Sequence, residues 1–180
     1  VIAIEKDRRA VSILSSLCKA AGDRLSLIEA DALDSPIWEF GSAPRRIIAN
    51  LPYNIATTLL IRWLAHATAF ESMTLMFQRE VAERITARPG DPAYSRLSVL
   101  TGYYADAEIL FDVPAEAFVP APKIMSSVVQ IVPLAQPRYD CSAQALELIT
   151  RTAFGQRRKM LRSSLKKING EQLLATAGID

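Results

Sequence analysis

Arg46-Ile47-Ile48-Ala49-Asn50-Leu51-Pro52-Tyr53-Asn54 is the stretch from which the rest of the chain can be read. Ile47, Ile48 and Ala49 form a short apolar run, the pattern of a strand covered on both faces. The run stops at Asn50, and Pro52 then stiffens the chain and biases Leu51 away from helical backbone. Over 56–67 the apolar residues recur at helical spacing, with Leu59, Leu60, Trp63 and Leu64 on one face. A buried strand, a tight turn and an amphipathic helix make one βα unit, and such units assemble into parallel sheets.

Upstream, the pattern repeats twice. Residues 1–4 read as a strand with Glu5 at its carboxyl end. Asp7 is placed to cap a helix carrying Val11, Leu14, Leu17, Cys18 and Ala21, and Gly22-Asp23 stops it. Residues 25–29 read as a second strand, followed by Ala30-Asp31-Ala32. Downstream, 73–77 predicts a strand, 80–86 a short helix and 96–104 another helix. The strands predicted at 107–113 and 126–132 are separated only by a connector with Pro114, Pro120 and Pro122, so they form an antiparallel hairpin at one sheet edge. The fold class is therefore α/β with a doubly wound sheet over 1–135. From about 142 the pattern is purely helical, which makes 136–180 a small helical domain joined through Ala135-Gln136-Pro137.

The 180 residues are half apolar, enough for one sizeable core and a small appendage. The net charge of +2 does not mark the whole chain as a nucleic-acid binder, so such a partner has to be read from local clusters. Cys18 and Cys141 have no metal-ligand spacing, and His66 is the only histidine, which argues against a metal site or a histidine-based triad. No run is long enough to span a bilayer and no signal peptide is seen, so a cytoplasmic location is expected. The chain opens inside a strand pattern, Val1-Ile2-Ala3-Ile4-Glu5, and is expected to be a fragment of a longer polypeptide.

Three successive predicted strands end in Glu5, Asp31 and Asn50, and in open α/β sheets ligands bind beyond the carboxyl ends of strands. An acid so placed can accept from ribose hydroxyls. Asp31 can accept from an adenine amine while the Ala32 amide donates to a ring nitrogen. An acid at a strand end is also a common helix cap, but three polar ends in succession weigh against that alternative. The exocyclic amine of adenine is a poor nucleophile because its lone pair is delocalised, and acceptors aimed at its two hydrogens release that lone pair. The Asn50 side-chain oxygen and the Leu51 carbonyl suit that task, with Pro52 fixing the turn and Tyr53 offering a face for a flipped-out base. Alone, the same residues are equally an ordinary strand-to-helix turn.

Two further segments bear on this choice. In Ala117-Phe118-Val119-Pro120-Ala121-Pro122-Lys123 the prolines imply an extended, rigid path, and Phe118 is either a core anchor or a second wall opposite Tyr53. The helical tail carries Arg151, Arg157, Arg158, Lys159, Arg162, Lys166 and Lys167, with no acid between Arg151 and Gly170. On one helix, Arg158, Arg162 and Lys166 fall on a single stripe able to follow a phosphate backbone.

With these residues in view, the chain resembles the bacterial small-subunit ribosomal RNA adenine dimethyltransferases (the KsgA family). The resemblance is carried by Val1-Ile2-Ala3-Ile4-Glu5-Lys6-Asp7, by Asp31-Ala32-Leu33-Asp34 and by the strand-end string from Ile48 to Thr57. It continues through Gln78-Arg79-Glu80-Val81-Ala82-Glu83-Arg84, Tyr94-Ser95-Arg96-Leu97-Ser98-Val99, the Phe118 connector and Arg157-Arg158-Lys159-Met160-Leu161. It implies a Rossmann-like fold, S-adenosylmethionine as cofactor, Glu5 on its ribose, and Asp31 and Ala32 beside its adenine. It also implies Asn50 and the Leu51 carbonyl on the target amine (Asn50 bordering the cofactor as well), with Tyr53 and Phe118 packing the flipped base. The implied substrate is a pair of adjacent adenosines near the 3′ end of 16S rRNA within the small ribosomal subunit, each dimethylated during subunit maturation. The implied enzyme is a monomer needing no metal, with Arg157, Arg158, Lys159, Arg162 and Lys166 on RNA. The family's glycine-rich cofactor loop and the strand before it are expected upstream of Val1, which would leave a gap in the sheet. Met125 stands where the family usually has an acid. The rival readings are a 23S rRNA adenine methyltransferase of the macrolide-resistance type and a non-catalytic RNA-binding assembly or transcription factor on the same fold.

Overall fold

The apolar run of β4 (Ser72–Gln78) is flanked by strands on both sides, and Met73, Leu75 and Phe77 have 0%, 0% and 1% of their surface exposed. The computed structural model describes residues 1–156 and 158–179. In one sheet β3 (Arg46–Asn50) pairs parallel to β4, β4 pairs antiparallel to β6 (Ser126–Pro133), and β6 pairs antiparallel to the edge strand β5 (Ala105–Val113). The last two strands form the hairpin expected from the lack of a helix between them. β1 (Ile2–Glu5) and β2 (Ser26–Glu29) pair parallel as a separate two-stranded sheet. The doubly wound α/β sheet is thus present in two pieces, and a cleft lies between β1 and β3, where the resemblance implied a gap.

The helices pack these two pieces unequally. α2 (Tyr53–Leu64) buries Ala56, Leu59, Leu60, Trp63 and Leu64, the face set by their three- and four-residue spacing. α3 (Arg79–Thr86) adds Ala82 and Ile85, and α4 (Arg96–Tyr104) adds Leu97, Leu100 and Tyr103. α4 begins with a capping box in which the Ser95 and Ser98 side chains each serve the other's backbone amide. α1 (Arg8–Ala21) is capped by Asp7, whose carboxylate accepts from the Arg9 amide, and stops at Gly22 with φ of 57°. Yet α1 buries no residue fully, and Leu17, expected on its apolar face, is 53% exposed. Two strands of four residues each are too small a floor to cover fourteen residues of helix.

The helical segment comprises α5 (Ala143–Phe154), α6 (Leu161–Ser164) and α7 (Gly170–Ala177). It leans on α4 through Arg96 to Glu147 at 2.9 Å, the Tyr94–Phe154 ring pair, and the Tyr103 hydroxyl donating to the Cys141 carbonyl at 2.6 Å. Among the described residues no helix is long and apolar enough to cross a membrane.

Candidate active site at the strand ends

β1 and β2 run parallel within one sheet and β3 and β4 within the other, and the ends of β1, β2 and β3 bring the expected residues to one cleft. Glu5 and Asn50 are the last residues of β1 and β3, and Asp31 follows β2 by two residues. Glu5, Asp31, Ala32, Asn50, Leu51 and Pro52 all line the cleft between β1 and β3, which also runs down the facing lengths of both strands. Lys6, Asn54 and Trp63 line it too and were not foreseen.

The acids are already ordered. Glu5 Oε1 accepts from the amides of Lys6 and Asp7, both at 2.7 Å, which fixes the carboxylate at the cleft rim. Asp31 Oδ1 accepts from the Leu33 amide at 2.9 Å, and Oδ2 holds Lys6 Nζ at 2.6 Å. The lysine, and next the Leu33 amide, hold the Asp31 carboxyl below the usual carboxylate range, while Asp31 raises Lys6 above its ordinary value. The pair's small stabilisation is therefore present above the ordinary carboxylate pKa and lost as pH falls through the depressed Asp31 value. At the alkaline end it is lost as pH rises through the raised Lys6 value. NMR titration of the Asp31 carboxyl should give a midpoint below that of a free aspartate, and Lys6→Ala should move it upward. An unmoved midpoint would remove the ion pair from the site.

The turn itself is built by Pro52. Its φ of −57° suits a helix start, and its carbonyl collects the Ile55 and Ala56 amides at 3.1 and 3.0 Å. The Leu51 carbonyl takes no part in these turn bonds. Asn50 is exposed on the cleft, while the Leu51 side chain is 7% exposed and anchors the turn in the core. Trp63 is 2% exposed, and its indole N–H lacks a hydrogen-bond partner among the described residues, so an unused donor borders the cleft.

Tyr53 and Phe118 do not line this cleft, and their rings make no stacked or edge contact with each other among the described residues. Tyr53 is half-buried as the first residue of α2, and its hydroxyl lies 2.6 Å from Ser126 Oγ. The connector bearing Phe118 bends over 118–120, with a cis Val119–Pro120 peptide, instead of running straight. Its ends are pinned as the ladder partners Val113 and Ser126, so the chain has to double back. At Met125 the Arg79 amide donates to the backbone carbonyl, and the Arg79 guanidinium reaches Asp112 and Glu83. The lone histidine, His66, stacks on Trp38 with ring centroids 3.8 Å apart and does not border the cleft.

The single basic stripe is not formed. Arg157 lies outside the described residues. Helix α5 ends at Phe154 with Gly155 as its cap, α6 is a single turn, and a 3-10 turn covers Lys166–Ile168. Like charges four apart disfavour a continuous helix. Arg158, Lys159, Arg162 and Lys166 are nonetheless all exposed, and none forms an ion pair among the described residues.

The family model described as ribosomal RNA adenine dimethylase matches residues 1–180. The chain belongs to that family. Ribosomal RNA small subunit methyltransferase A of Bartonella tribocorum is 58% identical over the whole chain, which spans 67% of that protein. The Rhodospirillum rubrum protein of the same name is 52% identical, and the chain spans 63% of it. Among solved structures, a dimethyladenosine transferase from Plasmodium falciparum superposes with a TM-score of 0.74 at 28% identity, over 98% of this chain and 62% of that one. The 23S rRNA methyltransferase ErmE gives 0.69 at 25% identity, over 100% and 73% respectively. For this dimethylase family member the Rossmann-like methyltransferase fold and the enzyme class follow directly.

Proposed function

We propose that the protein carrying this chain is a 16S rRNA adenine N6,N6-dimethyltransferase, acting on two adjacent adenosines near the 3′ end of small-subunit rRNA. The observation that carries the reading is the convergence of Glu5, Asp31, Ala32 and Asn50 on one cleft at the strand ends. Identity of 52–58% to small-subunit methyltransferases, against 25% to a 23S enzyme, favours the small-subunit substrate over the rival. The strand-end string from Asn50 to Tyr53, intact in the sequence, favours an enzyme over a non-catalytic assembly factor.

S-adenosylmethionine fits the residues present, and when bound it supplies a methyl group activated by a sulfonium. Glu5 is suited to its ribose hydroxyls. Asp31 retains acceptor capacity beside Lys6 and Leu33, because an ionised carboxylate offers about four lone-pair sites. The Ala32 amide is engaged by no backbone hydrogen bond among the described residues and can donate to a ring nitrogen. At the acceptor side the Asn50 side-chain oxygen and the Leu51 carbonyl take the two amine hydrogens, and the amine lone pair is released for attack. The surplus proton leaves to water, so no histidine is required. In this reading Tyr53, next in sequence to the cleft-lining Pro52, and Phe118 hold the flipped base, although neither lines the cleft itself.

We assign 1–135 to the methyltransferase domain and 136–180 to RNA contact, in an enzyme that works as a cytoplasmic monomer without metal. Radiolabelled methyl incorporation by the full-length protein tests the reading: label should enter small-subunit particles as dimethyladenosine, and label confined to large-subunit rRNA would overturn it. Replacing Arg158, Arg162 and Lys166 together by alanine should weaken RNA binding at every sequence tested. It should also flatten the slope of log K against log salt by about 2 to 3; an unchanged slope would remove this segment from the interface.

A further inference from the structure

The hydroxyl bond between Tyr53 and Ser126 joins two segments 73 residues apart in sequence. Ser126 is the first residue of β6 and is 0% exposed. It sits in the ladder between Gln78 of β4 and Val113 of β5, so its backbone is held from both sides. The adjoining corner is braced as well. Ser127 Oγ donates to Asp112 Oδ1 at 2.6 Å, Arg79 Nη1 donates to Asp112 Oδ2 at 3.0 Å, and the Arg79 amide donates to the Met125 carbonyl at 3.0 Å. A buried hydroxyl in a strand is costly unless it is bonded, and alanine would fill the same position without that cost. The bond it makes lands on the hydroxyl tip of the half-buried Tyr53 ring at the start of α2.

We infer that Ser126 is a positioning residue: it fixes the orientation of the Tyr53 ring as the platform for the target base, and it ties that platform to the end of the Phe118 connector. The inference rests on the acceptor-side reading given above. The Arg79–Asp112–Ser127 brace keeps Ser126 in place in a chain whose residue 125 is methionine.

The test uses the full-length protein with Ser126→Ala, Tyr53→Phe and the double variant, measured for kcat, KM for RNA and melting temperature. Fluorescence of 2-aminopurine placed at the target adenosine reports how the flipped base is stacked. Each single variant should lower kcat by about two- to tenfold, the worth of one neutral hydrogen bond, with KM little changed. The double variant should be no slower than the slower single, because both remove the same bond. The 2-aminopurine signal should rise as stacking loosens. Unchanged kcat in Tyr53→Phe, or multiplicative losses in the double variant, would overturn the positioning role, and Tyr53→Phe decides the matter if Ser126→Ala folds poorly. A loss of melting temperature with kcat and fluorescence unmoved would make the bond purely structural, which also overturns it. If the unsubstituted protein fails to methylate rRNA adenine, the underlying reading fails first; if it succeeds while the variants keep full kcat, only the positioning role fails.

Discussion

Asn50→Ala in the full-length protein is expected to lower methyl transfer by about 10²- to 10³-fold, the usual cost of losing one preorganised polar contact to a reacting group. RNA affinity should be nearly unaffected, because a single base-edge contact adds little to binding dominated by the phosphate backbone. Folding should be spared as well. Asn50 is exposed at the end of β3, and the turn beyond it is held by the Pro52 carbonyl and by the buried Leu51 side chain. Single-turnover methylation alongside a binding titration separates the two quantities. A rate within a few-fold of the unsubstituted enzyme would leave the Leu51 carbonyl as the only acceptor and would remove Asn50 from the chemistry. Asn50→Asp probes the same atom, since it keeps an oxygen acceptor but adds a charge beside the cleft acids.

The placement of this site was largely legible before any coordinates. The apolar face of α2 and the apolar run of β4 are visible in the sequence, and β4, α2 and α4 emerge within a few residues of where they were expected. Glu5, Asp31 and Asn50 line one cleft, as the rule that ligands bind beyond the carboxyl ends of strands in α/β sheets led one to expect, and that rule needs no side-chain detail. What stayed illegible depends on non-local geometry or on local backbone choice. Helix α2 begins at Tyr53, three residues before the apolar pattern starts, because Pro52 is already set for a helix start. The ion pair of Lys6 with Asp31 joins two loops and leaves no periodic trace. Nor does the Ser126 hydroxyl, which reads in sequence as an ordinary strand residue. The basic tail misled in the opposite direction: its four-residue spacing suggested one helix, whereas extended backbone at Met160 separates Arg158 from the single turn of α6, and Lys166 begins a separate 3-10 turn.

Leu60→Ala should destabilise the fold by about 2 to 5 kcal/mol, the range for deleting a fully buried leucine, whereas Leu17→Ala should change it by no more than about 0.5 kcal/mol. Leu60 is 0% exposed in a cluster with Leu59, Trp63, Phe77 and Val129, so its removal leaves a cavity that the central strands cannot close. Leu17 has the same side chain and lies on a helix with a comparable apolar pattern, but α1 has only the two-stranded sheet beneath it. Denaturant midpoints of the two variants measure the contrast, and equal losses would show that both halves of the sheet carry the core. The same asymmetry orders hydrogen exchange: amides of β1 and β2 should exchange before those of β4 and β6, because local opening is easiest where few apolar contacts are broken.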